Sequence, residues 1–125
     1  MGPLALALAL FLCAPDPAAA QKLDCNRDDL AQVEMNACAA RDYEAADTML
    51  NAVWGEAIAA ARSGGLGDEL LDAQRAWLPF RDAACEAEAA LFAGGSMAPM
   101  VRSFCLARLT EQRTEDLRLF ADLEG

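Results

Sequence analysis

The chain has 125 residues, enough for one domain, and carries 20 acidic against 10 basic residues, a formal net charge of −10. That balance argues against nucleic acid and anionic membrane surfaces as partners, since both recruit basic patches. Histidine is absent, which removes the commonest general base and the imidazole metal ligand.

The first element is MGPLALALALFLCAPDPAAAQ. Its apolar run from Leu4 to Ala14 is too short to span a bilayer, which takes about 20 residues in a helix. Pro15 and Pro17 break it, and Ala18-x-Ala20 has the form of a signal-peptidase site, so residues 1–20 read as a secretion signal, although its start lacks Lys or Arg. Leu12-Cys13 is a weaker lipidation candidate, because the residue before a lipidated cysteine is normally small. Stable membrane insertion after signal removal is not expected. The mature domain is then residues 21–125, and loss of Asp16 reduces the charge of −10 to −9. Such a charge keeps a small exported domain soluble and permits a basic partner. The expected location is the periplasm or exterior of a bacterium.

Beyond residue 21 alanine-rich helical periodicity dominates, and the expected fold is all-α, a small antiparallel bundle of about four helices. A short first helix covers roughly 28–39. A second starts at Asp42 as N-cap and runs to about Arg62, with Ala46, Met49, Leu50, Val53, Trp54, Ala57, Ile58 and Ala61 as its apolar stripe. SGGLGD at 63–68 stops it. A third starts near Asp68 and ends at Gly94-Gly95, with a seam of Leu70, Ala73, Trp77, Phe80, Ala84, Ala87 and Leu91. Ser96 caps a fourth, which runs to about Ala121 with Pro99 in its first turn and Met97, Val101, Phe104, Leu109, Leu117 and Phe120 facing inward.

The mature cysteines, Cys25, Cys38, Cys85 and Cys105, are even in number, which in an exported chain implies a disulfide framework. The third and fourth helices are joined by a few residues and must run antiparallel, which brings Cys85 level with Cys105. Cys25 and Cys38 pair by elimination. A continuous helix between those two would hold them about 20 Å apart, so residues 25–30 must fold back.

The segment AQRAWLPFRDAAC, residues 73–85, carries the richest motif. Pro79 cannot donate to the carbonyl of Arg75 and should kink the helix. Arg75 and Arg81 lie beside the seam, where their stems can pack while their guanidinium groups reach Asp47 or Glu44. Asp82 is placed to engage Arg113. These residues serve either as structural clamps or, for Arg75, Trp77 and Arg81, as a recognition surface.

Catalytic patterns are missing, and no enzyme, cofactor or metal is expected. The closest cysteines are thirteen positions apart, unlike the C-x2-C of a zinc site. Glu86 and Glu88 leave the helix on different sides, and Asp68, Glu69 and Asp72 complement a helix start rather than a sugar cleft. SGGLGD follows a helix and lacks the lysine of a P-loop.

The stretches MNACAARDYEAADTMLNAVW (35–54), AQRAWLPFRDAAC (73–85) and GGSMAPMVRSFCLARLTEQRTEDL (94–117) together resemble the small exported bacterial family named for the lysozyme inhibitor LprI. The shared pattern is an L-N pair, Q-R-x-W-x-x-[FY]-R-D-x-x-C and C-x4-T-x2-R-x3-L. Asn51, Gln74, Arg75, Trp77, Arg81, Asp82, Cys85, Cys105, Thr110 and Arg113 stand at the matching positions. The resemblance implies a helical domain that inhibits lysozyme, a basic muramidase, by blocking its cleft. Gly94, Gly95, Ser96 and Met97 form the candidate inserting loop. The alternative is a non-enzymatic structural or accessory protein of the envelope with another partner.

Overall fold

The computed structural model describes residues 23–124; the signal segment and Cys13 lie outside the described residues. The fold is all-α, as expected, but among the described residues it has three helices rather than four. Helix α1 spans Gln32–Ser63, α2 spans Gly67–Ala90 and α3 spans Ala98–Glu124.

The expected first and second helices are one. Between Leu30 and Gly55 no glycine or proline interrupts the chain, and a single aspartate is a mediocre helix former rather than a stop. Asp42 is therefore an exposed mid-helix residue, not an N-cap. The true start lies at Ala31, whose N–H donates to Glu34 Oε2 at 2.8 Å, the backward half of a capping box. At the far end the Leu66 N–H reaches Ala61 O and the Gly65 N–H reaches Arg62 O, with Gly65 at φ +76°. This is a Schellman termination, and it needs the left-handed residue that glycine supplies.

Helix α2 is continuous through Pro79, which lies on its exposed face. It stops at Ala90 rather than at Gly94-Gly95. Leu91, Phe92 and Ala93 then make three successive i→i−3 turns, before Gly94 at φ +80° redirects the chain. Ser96 does not cap α3. The carbonyl of Met97 accepts the first helical bond, from Val101, and Pro99 falls in the first turn, where its missing N–H costs nothing.

Helices α1 and α3 run parallel and form the most extensive contact, with α2 antiparallel to both. The core is Leu50, Val53, Ala57, Ile58, Ala61, Leu70 and Leu117, with Trp54, Trp77 and Phe120 packed on its edge. Ala57 and Ala61 on α1 have no exposed surface, and their small side chains let neighbouring backbones approach.

Both disulfides take the expected partners. Cys85 and Cys105 join α2 to α3 with Cα atoms 5.4 Å apart. Cys25 and Cys38 are 5.7 Å apart because residues 23–31 fold back along α1 as successive turns. Arg41 holds that segment by donating from Nη1 to Leu23 O at 2.9 Å.

The apolar stripes shift from their expected positions. On α2 the buried residues are Leu70, Gln74, Arg81, Cys85 and Ala89, whereas Ala73, Phe80 and Ala87, and Leu91 just beyond its end, are exposed. The seam is rotated by about one residue, roughly 100°, from the purely apolar one. Met49 on α1 and Phe104 on α3 are also substantially exposed, while Cys105, Ala107, Thr110 and Thr114 are buried in α3.

Candidate functional site

The rotation of α2 places two polar side chains in the interior, and each must be hydrogen-bonded there or destabilise the fold. Gln74 accepts a hydrogen bond from Arg113 Nε at 2.8 Å, which links α2 to α3. Arg81 is only 7% exposed. Its Nη1 donates to the Thr110 hydroxyl at 3.4 Å, its Nε and Nη2 engage Asp82 Oδ1 at 2.9 Å, and Asp47 of α1 lies 4.0 Å away. One guanidinium thus bridges all three helices.

Aromatic rings complete the layer. The Arg81 guanidinium carbon is 5.2 Å from the Trp77 ring centroid and 5.5 Å from that of Tyr43, and the Arg113 guanidinium is 5.9 Å from Trp77. Trp77 therefore takes cations from two helices, an attraction that desolvation strengthens. Burial pushes the Tyr43 hydroxyl above its ordinary range, against the opposing pull of Arg81. Burial likewise lowers the pKa of Arg113, whose Nη2 has no hydrogen-bond partner among the described residues.

Most of the motif residues converge on this layer. Asn51 Nδ2 donates to Asp47 Oδ2 at 3.4 Å and so orients the carboxylate that faces Arg81. Thr110 holds Arg81, and Thr114 donates back to the Thr110 carbonyl. Asp82 pairs with Arg81 rather than with Arg113 as expected, because Arg113 points to Gln74. Glu44 and Arg75 stay outside; Arg75 is exposed. Tyr43 joins the layer from outside the motif positions. Its signal is the spacing Tyr43, Asp47, Asn51, one face of a helix at i, i+4, i+8, legible only once α1 is continuous through Asp42.

Glu86 and Glu88 of α2 pair with arginines of α3. Glu86 accepts from both Nε and Nη2 of Arg102, which holds its carboxyl below the ordinary range, and Glu88 accepts from Arg108 at 2.6 Å. Among the described residues no cluster of three or more His, Cys, Asp or Glu is placed to hold a metal, and no helix is long and apolar enough to cross a membrane.

The α2–α3 connection, residues 91–97, forms the second feature. Leu91 is 81% exposed, Phe92 is partly so, and Gly94, Gly95 and Ser96 are all exposed. Met97 is half-buried beneath them. The base of this tip is braced: Asn36 Nδ2 on α1 donates to the Ser96 carbonyl at 3.0 Å, and Cys85–Cys105 ties the two flanking helices.

A family model described as lysozyme inhibitor LprI matches residues 24–117, from the fold-back segment to the buried Leu117. The chain belongs to the LprI lysozyme inhibitor family. The match takes in both disulfides, the polar layer and the exposed tip. An uncharacterized protein of Rhizobium meliloti (strain 1021) is 42% identical over 132 residues, covering 94% of each chain. No solved structure matches this chain. In this member of the LprI family the motif side chains Gln74, Trp77, Arg81, Thr110 and Arg113 meet across helix interfaces, whereas Gly94–Ser96 face solvent.

Proposed function

We propose that this protein is an exported, non-enzymatic inhibitor of a basic muramidase, and that it presents the α2–α3 connection to the enzyme's substrate cleft. Family membership supports the activity. The observation that carries the mode is the exposed tip: Leu91 and Phe92 offer apolar contact, and Gly94-Gly95-Ser96 let the backbone approach closely, on a base fixed by a disulfide. A preorganised loop loses little entropy on binding, which favours tight occlusion. The excess of acidic over basic residues steers a cationic enzyme toward the protein and makes association salt-sensitive.

In this reading Gln74, Trp77, Arg81, Thr110 and Arg113 hold the helices in register and do not contact the enzyme. The experiment is turnover of a peptidoglycan suspension by a basic c-type lysozyme with increasing amounts of the oxidised protein. Saturable inhibition that weakens as salt rises is expected, together with a loss of at least tenfold in potency for Leu91→Asp. A folded protein that leaves turnover unchanged at low salt defeats the inhibitor reading and returns weight to an envelope accessory role. Unchanged inhibition by Leu91→Asp defeats the tip alone.

A further inference from the structure

A second surface lies along the seam between α1 and α3. Two adjoining cavities of about 490 and 400 Å³ open there, sharing Asp42 and Phe104. Together they run from Met35 to Met49 on α1, a span of about 21 Å at the helical rise, which matches a helix of about fourteen residues. The floor is soft and apolar. Three of the chain's five methionines, Met35, Met49 and Met100, line it, and Phe104 stands between the cavities with 49% of its surface exposed. Phe104 and the three methionines form one contiguous apolar lining, and a contiguous patch, unlike a single exposed side chain, marks an interaction surface. Methionine linings adapt to helical ligands because the thioether chain is flexible and polarisable.

The rim selects the charge of that ligand. Asp42 and Glu111 border the groove, and the one cation among its described lining residues, Arg108, is already paired with Glu88 at 2.6 Å. The uncompensated rim charge is therefore negative, in a chain of net charge −10. We infer that the α1–α3 groove docks an amphipathic helical segment of a partner protein, with apolar anchors on one face and Lys or Arg on its flanks. Phe104 is the anchor contact, and Asp42 and Glu111 fix orientation by pairing with the flanking cations. The site shares no lining residue with the tip, residues 91–97, and does not depend on the muramidase reading.

The test uses the oxidised protein and a fluorescent fourteen-residue Leu/Lys amphipathic helix, read by anisotropy. A Leu/Glu helix of the same pattern serves as the charge control, and Phe80→Asp, on the exposed face of α2, as the surface control. Saturable binding of the Leu/Lys helix is expected, weakened at least tenfold by Phe104→Asp, several-fold by Asp42→Asn with Glu111→Gln, and unaffected by Phe80→Asp. The Leu/Glu helix should not bind. Circular dichroism confirms that each variant is folded. Equal binding to wild type and Phe104→Asp would reduce the interaction to general surface electrostatics and overturn the site. Sedimentation showing a dimer that Phe104→Asp dissociates would assign the groove to a second copy of the chain and overturn the partner-helix reading.

Discussion

The guanidinium of Arg81 is buried 5.2 Å from the centre of the Trp77 ring, while Phe80, its neighbour in the chain, is 61% exposed. An arginine thus occupies the interior position that apolar periodicity assigns to a phenylalanine. Replacing Arg81 with Ala removes the donor to the buried Thr110 hydroxyl and opens a void beneath Trp77, and should cost about 2–3 kcal/mol, most of it packing because both carboxylates near Arg81 face solvent. Arg81→Lys keeps the charge but loses the planar fork and stacking, with a cost of about 1–2 kcal/mol. Phe80→Ser should change stability by less than about 0.5 kcal/mol. Urea unfolding followed by tryptophan fluorescence checks all three, and a large cost at Phe80 would contradict the rotated seam.

The two disulfides differ in access. Cys85 and Cys105 are 0% and 1% exposed, whereas Cys25 is half-buried in the fold-back segment with the Arg41 guanidinium 3.3 Å from its Sγ. Thiolate attack requires access to sulfur. Mild reduction followed by alkylation and mass spectrometry should therefore label Cys25 and Cys38 well before Cys85 and Cys105. In Cys85→Ser, loss of a bridge of sequence separation 20 should cost about 3 kcal/mol. Unfolded in guanidinium chloride without reductant, that variant should expose Cys105 to a thiol reagent, because its sulfur is buried in the fold; continued full protection in denaturant would overturn the pairing.

Tyr43 is the chain's only tyrosine, so its ionisation can be followed at 295 nm without overlap from another phenol. Burial raises its folded pKa above the ordinary 10.0. The protonated form is favoured in the fold, so its stabilising contribution is complete below pH 10 and is lost as pH rises from there through the folded value. Absorbance titration should give a midpoint above 10.0 in the native protein and an ordinary one in guanidinium chloride. Tyr43→Phe should make stability less sensitive to pH on this alkaline side.

Two glycines should respond oppositely to alanine. Gly65 sits at φ +76° in the termination of α1, where a Cβ strains the backbone, and Gly65→Ala should destabilise by about 1 kcal/mol. Gly55 lies within α1, where an added Cβ meets no atom within 4 Å. Gly55→Ala should stabilise by about 0.5–1 kcal/mol through helix propensity alone. Thermal melts of the two variants should bracket the wild type.

The all-α class, the Cys85–Cys105 pairing and the family motif were legible in the sequence, because periodicity, the short α2–α3 connection and cysteine position are local or countable properties; Cys25–Cys38 followed only by elimination, and the fold-back of residues 23–31 that permits it is tertiary. The sequence also determined the stripe on α1 from Ala46 to Ala61, apart from Met49, since there the apolar residues coincide with the helix face that meets the core. Tertiary structure decided the rest. Asp42 looked like a start because aspartate caps helices well, yet a cap forms only where the chain actually turns, and residues 32–63 have enough partners on α3 to stay helical. The face of α2 was decided by cross-helix hydrogen bonds. Gln74 and Arg81 are interior only because Arg113 and Thr110 wait on α3, and no one-dimensional count of apolar residues includes those partners. The exposed Phe104 and its methionine groove belong to the same category: their lining comes from α1, α3 and the fold-back segment together, a property of the assembly rather than of any one element.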